Sequence, residues 1–596
     1  NNYIDAEKYY LKAIEINSES AIAHLNLGAF YKEIFELDKA IIHTEKAIKL
    51  DGKLENSYLN LATIYSQKGD QIKSLSLARK ELSINKNSEL CYQHISELIK
   101  EEGILNLSKK ENKELLSNIL MRKDISHREL FRNINDIISS DILEKLSSFE
   151  FEVEGSKEFN ILIKDKEVRQ ALSLLIFCST LWEKALVQTR RRMLINYSEN
   201  KKINKHIVNF TIALGAQCFL NEYVYYISEE ERHKLEEIKK SINNNHKDQE
   251  YKLALISCYQ SLYSINNEFI DLNNYKSNNL EFNNLLKLQL REIIIEQDIS
   301  NKIEKIGTIA DPISRAVKNQ YESNPYPRWR YNSYAKDKKL NHLYIINSEI
   351  YPSNIKINQI KSTDKRLNIL IAGCGSGIQI LEASRYSNCD ITAIDLSNAS
   401  ISYAKRKVEE YGMKNINFIE MDLLELKQLN QKFDLIECSG VLHHMKEPAV
   451  GLSNLVGSLE PNGFLKLGLY SKYARQDILK ARELIQKKNI KANLDEIRSF
   501  RNDVLNGDIN NISKITNWSD FYSTSMCRDL CFHSQEKCYS LIEIKNMIEK
   551  SNLEFLGFTL SKDIKDKYLN IYKNIDSLKD LVLWDQFEKI NPNSFR

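Results

Sequence analysis

Three glycines and a carboxylate in the last third of the chain have the types and spacing of residues that hold a ribose-bearing ligand. Gly373, Gly375 and Gly377 stand between an apolar run and a helical pattern in LNILIAGCGSGIQ. Glycine lets a ligand approach the backbone at the end of a strand, and the following helix offers its free amide donors. Asp395 closes the next apolar run, ITAID, at roughly the 20-residue distance expected of a ribose-binding carboxylate. The pattern therefore predicts a site for an adenosyl cofactor.

Five apolar runs predict the strands that position these residues, at 368–372, 391–395, 417–421, 434–438 and 464–469. Helical segments and polar linkers separate them, which is typical of a doubly wound βαβ series. Asp422 and Ser439 follow the third and fourth runs. The candidate ligands therefore fall at the carboxyl edge of the sheet, where loops and helix N-termini converge on bound ligands. An antiparallel strand at 553–560 is expected to complete the sheet.

The motifs AGCGSG, AID, EMDLL, FDLIECSGVLHHM and LEPNGFLKL together resemble the class I S-adenosylmethionine-dependent methyltransferases. The resemblance covers roughly residues 340 to 560 and implies a Rossmann-like doubly wound domain with S-adenosylmethionine as cofactor. A nicotinamide fingerprint would require glycine at position 378, where this chain has Ile378. Dinucleotide binding is therefore the poorer interpretation.

The same resemblance implies a role for each cofactor-site residue. The Gly373–Gly377 loop would lie under the methionine end of the cofactor. Asp395 would accept both ribose hydroxyls and Asp422 the adenine amino group, with Leu396 and Met421 on either side of the adenine. The complete predicted set is Gly373, Cys374, Gly375, Gly377, Asp395, Leu396, Met421, Asp422 and Ser439. The alternative is a doubly wound sheet that keeps its glycines for tight turns and its acids as helix N-caps.

His443 and His444 follow the fourth strand, at the edge where a methyl acceptor would approach the sulfonium. Either imidazole is a candidate catalytic base for an acceptor hydroxyl or amine, because the pKa of histidine lies near neutrality. Adjacent histidines in such a loop also often hydrogen-bond the backbone or pack on the cofactor. Many methyl transfers need little beyond alignment of the reactants, so both interpretations stay open.

A proline- and aromatic-rich segment, NPYPRWRY from Asn324 to Tyr331, precedes the first predicted strand. Its start is similar to the Asn-Pro-Pro-Tyr signature of enzymes that methylate amino groups of nucleobases or glutamine. The order of residues differs, however, and the slot after the fourth strand holds ECSGVLHH instead, which disfavours amino-nucleobase methylation. Two prolines fix the backbone, so the segment is either a lid over the cofactor or a rigid, packed linker.

Four potential zinc ligands lie within twelve positions: Cys527, Cys531, His533 and Cys538. Structural zinc sites usually combine two close pairs such as C-x2-C, whereas this segment has no loop between pairs. We therefore predict no metal. The other cysteines are scattered through apolar stretches, which is typical of buried free thiols in a reducing cytoplasm.

The front of the chain repeats with a period of 34 residues. Leu27 and Leu61, like Tyr31 and Tyr65, stand one period apart. The repeating segments resemble tetratricopeptide repeats, which are pairs of antiparallel helices that present extended surfaces to peptide partners. The proline that usually closes each repeat is absent, so a generic array of helical hairpins is the alternative.

These observations predict a multidomain α plus α/β protein. The expected parts are a repeat array at 1–100, an α-helical domain at 101–315, a linker or lid at 316–345, and a methyltransferase domain at 346–596 with a helical insertion at about 471–538. The chain has 84 basic and 81 acidic side chains and a net charge of +3, which does not favour nucleic acid. No apolar run is long enough to span a bilayer, and a cytoplasmic location is the default expectation.

The expected function is methyl transfer from S-adenosylmethionine to an oxygen or nitrogen acceptor, preferably on a protein partner recruited by the repeats. One alternative is a small-molecule methyltransferase whose repeats serve assembly. Another is a scaffold with a non-catalytic methyltransferase-like domain, which the intact glycines and both acids disfavour. A fold resemblance alone does not fix the acceptor.

Overall fold

The computed structural model describes residues 2–34, 36–100, 105, 110–148, 152–153, 155–198, 203–242, 248–323, 325–334, 339–353, 366–533 and 535–595. The chain divides into two compact units. The first contains Asn1–Ser139 with Tyr331–Ala335, and the second contains Ser140–Arg330 with Lys336–Arg596. Each unit is described by itself below.

The first unit is helical, and from α1 to α6 each helix packs against the next one along the chain. Its helices are α1 (Asn2–Ile16), α2 (Ala21–Glu33), α3 (Leu37–Leu50), α4 (Ser57–Lys68), α5 (Gln71–Ile84), α6 (Glu89–Leu98), α7 (Lys110–Leu120) and α8 (Phe131–Ile134). Ser20, Asp70 and Ser88 cap the N-termini of α2, α5 and α6 through their side chains. A Cβ at Gly28 would lie 2.4 Å from Thr44 Oγ1 of α3, so the small residue is needed where α2 and α3 cross.

The second unit begins with a helical region that precedes the sheet. Its helices are α9 (Ser140–Ser147), α10 (Lys157–Lys164), α11 (Lys166–Leu172), α12 (Thr180–Ile195), α13 (Lys205–Leu220), α14 (Glu229–Lys240), α15 (Gln249–Ser257), α16 (Leu262–Ile265), α17 (Leu280–Leu286), α18 (Glu292–Ser300), α19 (Pro312–Glu322) and α20 (His342–Ile350). The apolar helix α13 is buried over its last eleven residues. It is therefore a core helix of this region.

Six strands of the described residues form one sheet in the order β1-β4-β3-β2-β5-β6, and all neighbouring pairs are parallel. The strands are β1 (Glu304–Lys305), β2 (Leu367–Ala372), β3 (Cys389–Asp395), β4 (Ile416–Glu420), β5 (Phe433–Ser439) and β6 (Leu459–Gly468). The strand order reverses between β2 and β5, and ligands bind outside the carboxyl ends of strands at such a point. The predicted α plus α/β class is confirmed in this form.

Helices cover both faces of the sheet. Consecutive residues of β2 point to opposite faces and belong to two separate hydrophobic cores. Ile369 and Ile371 pack with Ile401 of the helix after β3, whereas Leu370 packs with Leu455 of the helix after β5. Helix α21 (Ile378–Ala383) follows β2, α22 (Asn398–Glu410) follows β3 and α23 (Pro448–Gly457) follows β5. Apolar side chains on both faces are the pattern of a buried parallel sheet.

The rest of the chain is helical. Its helices are α24 (Gln476–Lys487), α25 (Leu494–Asn506), α26 (Thr524–Phe532), α27 (Leu541–Lys550), α28 (Lys562–Tyr572) and α29 (Leu581–Ile590). The prediction of an antiparallel strand at 553–560 is wrong, because this segment forms no strand. Its Phe558 instead packs against Trp584 of α29 with ring centroids 5.4 Å apart. Burial in that aromatic cluster, rather than strand pairing, accounts for the apolar residues that suggested a strand.

A buried ion pair joins the helical region to the insertion that follows β6. Arg501 of α25 donates to both carboxylate oxygens of Glu183 on α12, at 2.9 and 2.7 Å, and both side chains are almost fully buried. The same guanidinium donates to the backbone oxygens of Phe521 and Val224. Four hydrogen bonds thus hold α12, α25 and two loops together.

None of the helices that the structure describes combines the length and the apolar character required to cross a bilayer.

The first prediction concerns this ion pair. Replacement Glu183→Ala leaves the Arg501 guanidinium buried without its carboxylate, and we expect the free energy of unfolding to fall by about 3–5 kcal/mol. The measurement is denaturant unfolding of the full chain. Lys545→Ala is the control, because Lys545 forms an exposed pair with Glu549 at 3.7 Å and its loss should cost at most about 0.5 kcal/mol. Equal losses for the two variants would contradict the assignment.

Candidate functional site

A cavity of about 410 Å³ lies at the carboxyl edge of the sheet and contains most of the predicted site residues in its wall. Eight of the nine cofactor-site residues line it: Gly373, Cys374, Gly375, Asp395, Leu396, Met421, Asp422 and Ser439. Gly377 is not in the wall and instead begins α21. Of the two predicted base candidates, His444 lines the cavity, whereas His443 does not.

The glycine loop has a shape that only glycine adopts without strain. Gly373, Gly375 and Gly377 have φ values of +75°, +49° and +91°, in the left-handed region. A Cβ on these residues would lie 2.1 Å from Val441 Cγ2, 2.8 Å from the Tyr326 carbonyl oxygen and 2.9 Å from Ala404 Cβ, respectively. The expected reason for the glycines was access of a ligand to the backbone. The structure adds that the protein itself fills the space around them.

Asp395 at the end of β3 connects the glycine loop to the next helix. Its Oδ2 accepts from the Gly375 amide at 2.8 Å and its Oδ1 accepts from the Ser397 amide at 2.9 Å. Burial raises the pKa of this carboxyl group, while the two amides oppose that effect. Each oxygen accepts one amide and keeps a lone pair, so the carboxylate can still accept from two ligand hydroxyls.

Asp422 lies after β4 and caps the 3-10 helix Leu423–Leu429. Its Oδ1 accepts from the Leu424 amide at 3.0 Å, and the side chain is 3% exposed. The sequence analysis gave helix capping as the alternative to ligand binding for the acidic residues, and Asp422 does cap a helix. The hydrogen bond uses one oxygen of a carboxylate that also lines the cavity, so capping and ligand binding are compatible.

The proline- and aromatic-rich segment lies across the glycine loop. The backbone oxygen of Tyr326 accepts from the Ser376 amide at 3.2 Å, and the Trp329 indole donates to the Ser376 backbone oxygen at 3.1 Å. Tyr326 and Pro327 line the cavity, while the buried Trp329 packs on Tyr403. The segment therefore packs on the domain and also contributes two residues to the cavity wall. Asn324, the first residue of the predicted motif, lies outside the described residues.

The two histidines occupy different surroundings on the 3-10 helix Leu442–His444. His443 is fully buried and its ring stacks on Tyr470 at 3.9 Å, where burial lowers its pKa well below the usual value. His444 faces the cavity, and its Nδ1 lies 3.0 Å from the Gln535 backbone oxygen. Because a carbonyl oxygen only accepts, Nδ1 carries the hydrogen and Nε2 keeps a lone pair.

Asp529 of α26 lies beside His444 and was not found from the sequence. Tyr321 of α19 donates to its Oδ1 at 2.6 Å, and Tyr470 donates to its Oδ2 at 3.4 Å. Burial opposes ionisation of Asp529, but His444, His533 and the Tyr321 hydroxyl outweigh that effect and lower its pKa. Asp529 is therefore ionised at neutral pH.

The predicted zinc candidates separate in the structure. His533 joins His444 and Asp529, whose potential ligand atoms lie within 4.8 Å of one another. The two rings stack at 3.8 Å and 19°, so their lone pairs run side by side instead of converging on one ion. His533 Nδ1 also accepts from the Gln535 amide at 3.1 Å, which leaves the hydrogen on Nε2. This arrangement does not present three lone pairs to a cation.

Two cysteines of that segment, Cys531 and Cys538, have raised thiol pKa values. Cys527 and Cys531 lie one turn apart on α26 and are buried. A hydrogen bond with Cys527 and burial raise the pKa of Cys531 well above its usual value, and burial raises that of Cys538 to about 11. Protonated thiols are poor zinc ligands.

Tyr321, Tyr470 and Asp529 lie in or beside the cavity and belong to no sequence motif. Tyr470 directly follows β6, so its position after a strand was a usable signal. Tyr321 and Asp529 come from α19 and α26, which lie far apart in the chain. Only the packing of the second unit brings them within hydrogen-bond distance.

Comparison with known proteins identifies the domain. Residues 369–463 match the family model described as a methyltransferase domain. The Synechococcus sp. protein syc1184_c is 30% identical over 241 residues, which are 38% of this chain and 57% of that protein. The ubiquinone biosynthesis O-methyltransferase of Coxiella burnetii is 31% identical over 127 residues, 21% of this chain and 52% of that protein. The chain thus spans little more than half the length of these relatives.

Among solved structures, PKMT2 from Rickettsia typhi is 17% identical with a TM-score of 0.33, over 42% of this chain and 50% of that one. A score this low supports no inference. The family match confirms the predicted methyltransferase domain, with S-adenosylmethionine as its cofactor.

The second prediction uses two glycines with nearly the same positive φ angle. Gly373 and Gly440 have φ values of +75° and +79°, but a Cβ on Gly440 would meet nothing within 4 Å. Alanine at either position costs about 1–2 kcal/mol for the left-handed backbone. Gly373→Ala should cost roughly 1–3 kcal/mol more in unfolding free energy, because it overlaps Val441. Val441→Ala combined with Gly373→Ala should recover that difference, and equal costs for the two glycine variants would refute the packing argument.

Proposed function

We propose that the protein is an S-adenosylmethionine-dependent methyltransferase that transfers a methyl group to an oxygen or nitrogen acceptor. The observation that carries the proposal is the cavity at the carboxyl edge of the sheet, which combines Asp395, Asp422 and His444 in one wall. Two carboxylates at strand ends suit a nucleoside, and an imidazole with a free Nε2 suits removal of a proton. The match of residues 369–463 to a methyltransferase domain supports the same activity.

The chain's residues fit the cofactor as the resemblance implies. Asp395 is the ribose-hydroxyl acceptor, and Asp422 accepts from the adenine amino group through the lone pairs left by its capping bond. Met421 and Leu396 supply apolar surface beside the adenine. The glycine loop, with Cys374, and Ser439 lie along the remaining part of the molecule. When bound, the cofactor supplies an electrophilic methyl group on a sulfonium.

His444 is the base that we assign. Its Nδ1–H bond to the Gln535 carbonyl fixes the tautomer, so Nε2 can take a proton from the acceptor. Asp529, with Oδ1 3.7 Å from that nitrogen, stabilises the imidazolium that results. His443 does not line the cavity and its pKa is lowered well below the usual value, so its role is to pack on Tyr470.

We further propose that the acceptor belongs to a protein that the first unit recruits through tetratricopeptide-like repeats. Consecutive helix pairs from α1 to α6 and the 34-residue sequence period support this assignment. Apolar side chains such as Ile16, Ile42 and Ile72 are more than half exposed there, which suits a peptide-binding surface. A small-molecule acceptor is the second candidate, favoured by the similarity to ubiquinone biosynthesis O-methyltransferases.

The third prediction tests the cofactor site. Asp395→Ala removes the acceptor for the ribose hydroxyls, and we expect S-adenosylmethionine binding to weaken by about 1–3 kcal/mol. Titration calorimetry measures the change. Asp390→Ala is the matched control, because Asp390 lies at the opposite end of β3 and pairs with Arg366 at the surface. An unchanged affinity in the Asp395 variant would disprove its role.

The fourth prediction tests the reaction and the class of acceptor. Full-length protein is incubated with methyl-labelled S-adenosylmethionine and extract from the source organism. We expect label in large molecules, from which protease treatment releases it. His444→Gln removes the assigned base and should lower this incorporation about 10²–10⁴-fold. Label found solely in small molecules would favour the second candidate. An extract that stays unlabelled while the cofactor binds would reject the methyltransferase proposal.

A further inference from the structure

Asp529 is a buried carboxylate whose neighbours within 4 Å are the side chains of two tyrosines and two histidines. Its side chain is 3% exposed, and it accepts from the hydroxyls of Tyr321 and Tyr470. His444 Nε2 and His533 Nε2 lie 3.7 and 4.0 Å from its Oδ1. The Nδ1 atom of each ring contacts the backbone of Gln535, so Nε2 is the nitrogen that each ring turns towards Asp529. The hydrogen bonds to the carboxylate therefore come from two phenolic hydroxyls, which are neutral groups.

Two guanidinium groups lie near Asp529 and form their ion pairs with another carboxylate. Arg475 and Arg482 each contact Glu536 Oε2, at 3.1 and 2.9 Å, and Arg482 also donates to the backbone oxygen of Asp529 at 2.9 Å. Across the described residues, no lysine or arginine nitrogen lies within ion-pair distance of the Asp529 carboxylate. A buried charge is costly unless an opposite charge reaches it. Asp529 does not line the cavity, but Tyr321, Tyr470 and His444 do, and each lies within 4 Å of its carboxylate. The negative charge of Asp529 therefore acts on a group bound against these three side chains.

Three side chains that line the cavity next to Asp529 already use the hydrogens of their described hydrogen bonds as donors. Tyr321, Tyr470 and His444 line the cavity. Both tyrosine hydroxyls donate their hydrogens to Asp529, and His444 Nδ1 donates its hydrogen to the Gln535 carbonyl. Each side chain therefore has a lone pair left and no hydrogen to give. A ligand that satisfies all three must bring several donors.

We propose that the acceptor is a primary amine, which binds as an ammonium against Tyr321, Tyr470 and His444 with Asp529 as its counter-ion. This inference rests on the proposed methyltransferase function and names its substrate class. An ammonium carries three N–H donors, one for each of the three lone pairs. The Tyr321 and Tyr326 rings, 5.7 Å apart in the cavity wall, offer aromatic faces that also attract a cation.

A hydroxyl acceptor fits this group of side chains less well. It has one hydrogen, which His444 would take, and it leaves the lone pairs of Tyr321 and Tyr470 without donors. It also brings no charge to Asp529. Sites built to hydrogen-bond a particular donor reject an analogue that lacks it, because buried polar groups are then left unpaired. Selection of amine over alcohol therefore follows from the same contacts that bind the amine.

The reaction balances with the residues present. His444 Nε2 takes one proton from the ammonium, and the resulting imidazolium faces Asp529. The neutral amine nitrogen forms a bond to the methyl carbon of S-adenosylmethionine while the carbon–sulfur bond breaks, and its electron pair stays on sulfur as a thioether. The product is an N-methylammonium. His444 then releases its proton to solvent.

The fifth prediction tests the chemical class on the unmodified protein. Source extract is acetylated to block primary amines, treated with hydroxylamine to restore acetylated phenols, and offered with methyl-labelled S-adenosylmethionine. We expect at least tenfold less incorporation than with untreated extract. After acid hydrolysis of the untreated product, label should be retained on a cation exchanger as an N-methyl amine. Incorporation that survives acetylation, or label released by base as methanol, would overturn the amine proposal and leave methyl transfer intact.

A variant pair tests the role of Asp529 in the same assay. Asp529→Asn keeps the shape and removes the charge, so we expect KM for the labelled extract component to rise at least tenfold with unchanged S-adenosylmethionine affinity. Asp508→Asn, an exposed residue of the same insertion, is the control and should leave both quantities unchanged. An Asp529→Asn enzyme with unchanged KM would refute the counter-ion role. An extract without incorporation would reject the proposed function, and this inference with it.

Discussion

The buried ion pair between Glu183 and Arg501 is the constraint on which the acceptor end of the cavity depends. A charge removed from water is tolerated only when its partner and its hydrogen bonds are in place. Arg501 satisfies this condition with the Glu183 carboxylate and two backbone oxygens. The helical region before the sheet and the insertion after β6 must therefore keep the relative position in which Glu183 and Arg501 pair, because any other position leaves a buried charge without its partner.

A second contact extends that constraint to the reacting groups. Glu222, in the turn after α13, accepts from the Ser525 amide and hydroxyl at the start of α26. Glu222 and Tyr223 both have left-handed backbones, with φ values of 59° and 57°, a conformation that persists only where surrounding contacts enforce it. Since α26 carries Asp529, a turn of the helical region fixes where that carboxylate lies. The helical region thus has a structural role that its sequence does not reveal.

The sequence predicted the cavity residues around the glycine loop better than the residues around Asp529, for a physical reason. Asp395 and Asp422 follow strands directly, and the parallel sheet aligns all strand ends at one edge. Tyr321 and Asp529 lie on helices whose positions depend on long-range packing such as the Glu183–Arg501 pair. The two histidines could not be separated either, because the short 3-10 helix that contains them turns His444 to the cavity and His443 to Tyr470.

The two ends also differ in how their shape is determined. At the cofactor end, the space that a Cβ would need is filled by Val441, Ala404 and the Tyr326 backbone, so the loop holds its form before any ligand arrives. A preformed site spends little binding energy on ordering itself. At the acceptor end, the wall comes from elements outside the strand–helix repeat, and their side chains can change without disturbing the glycine loop. One sheet edge can therefore keep the same methyl donor while the flanking helices determine which group receives the methyl.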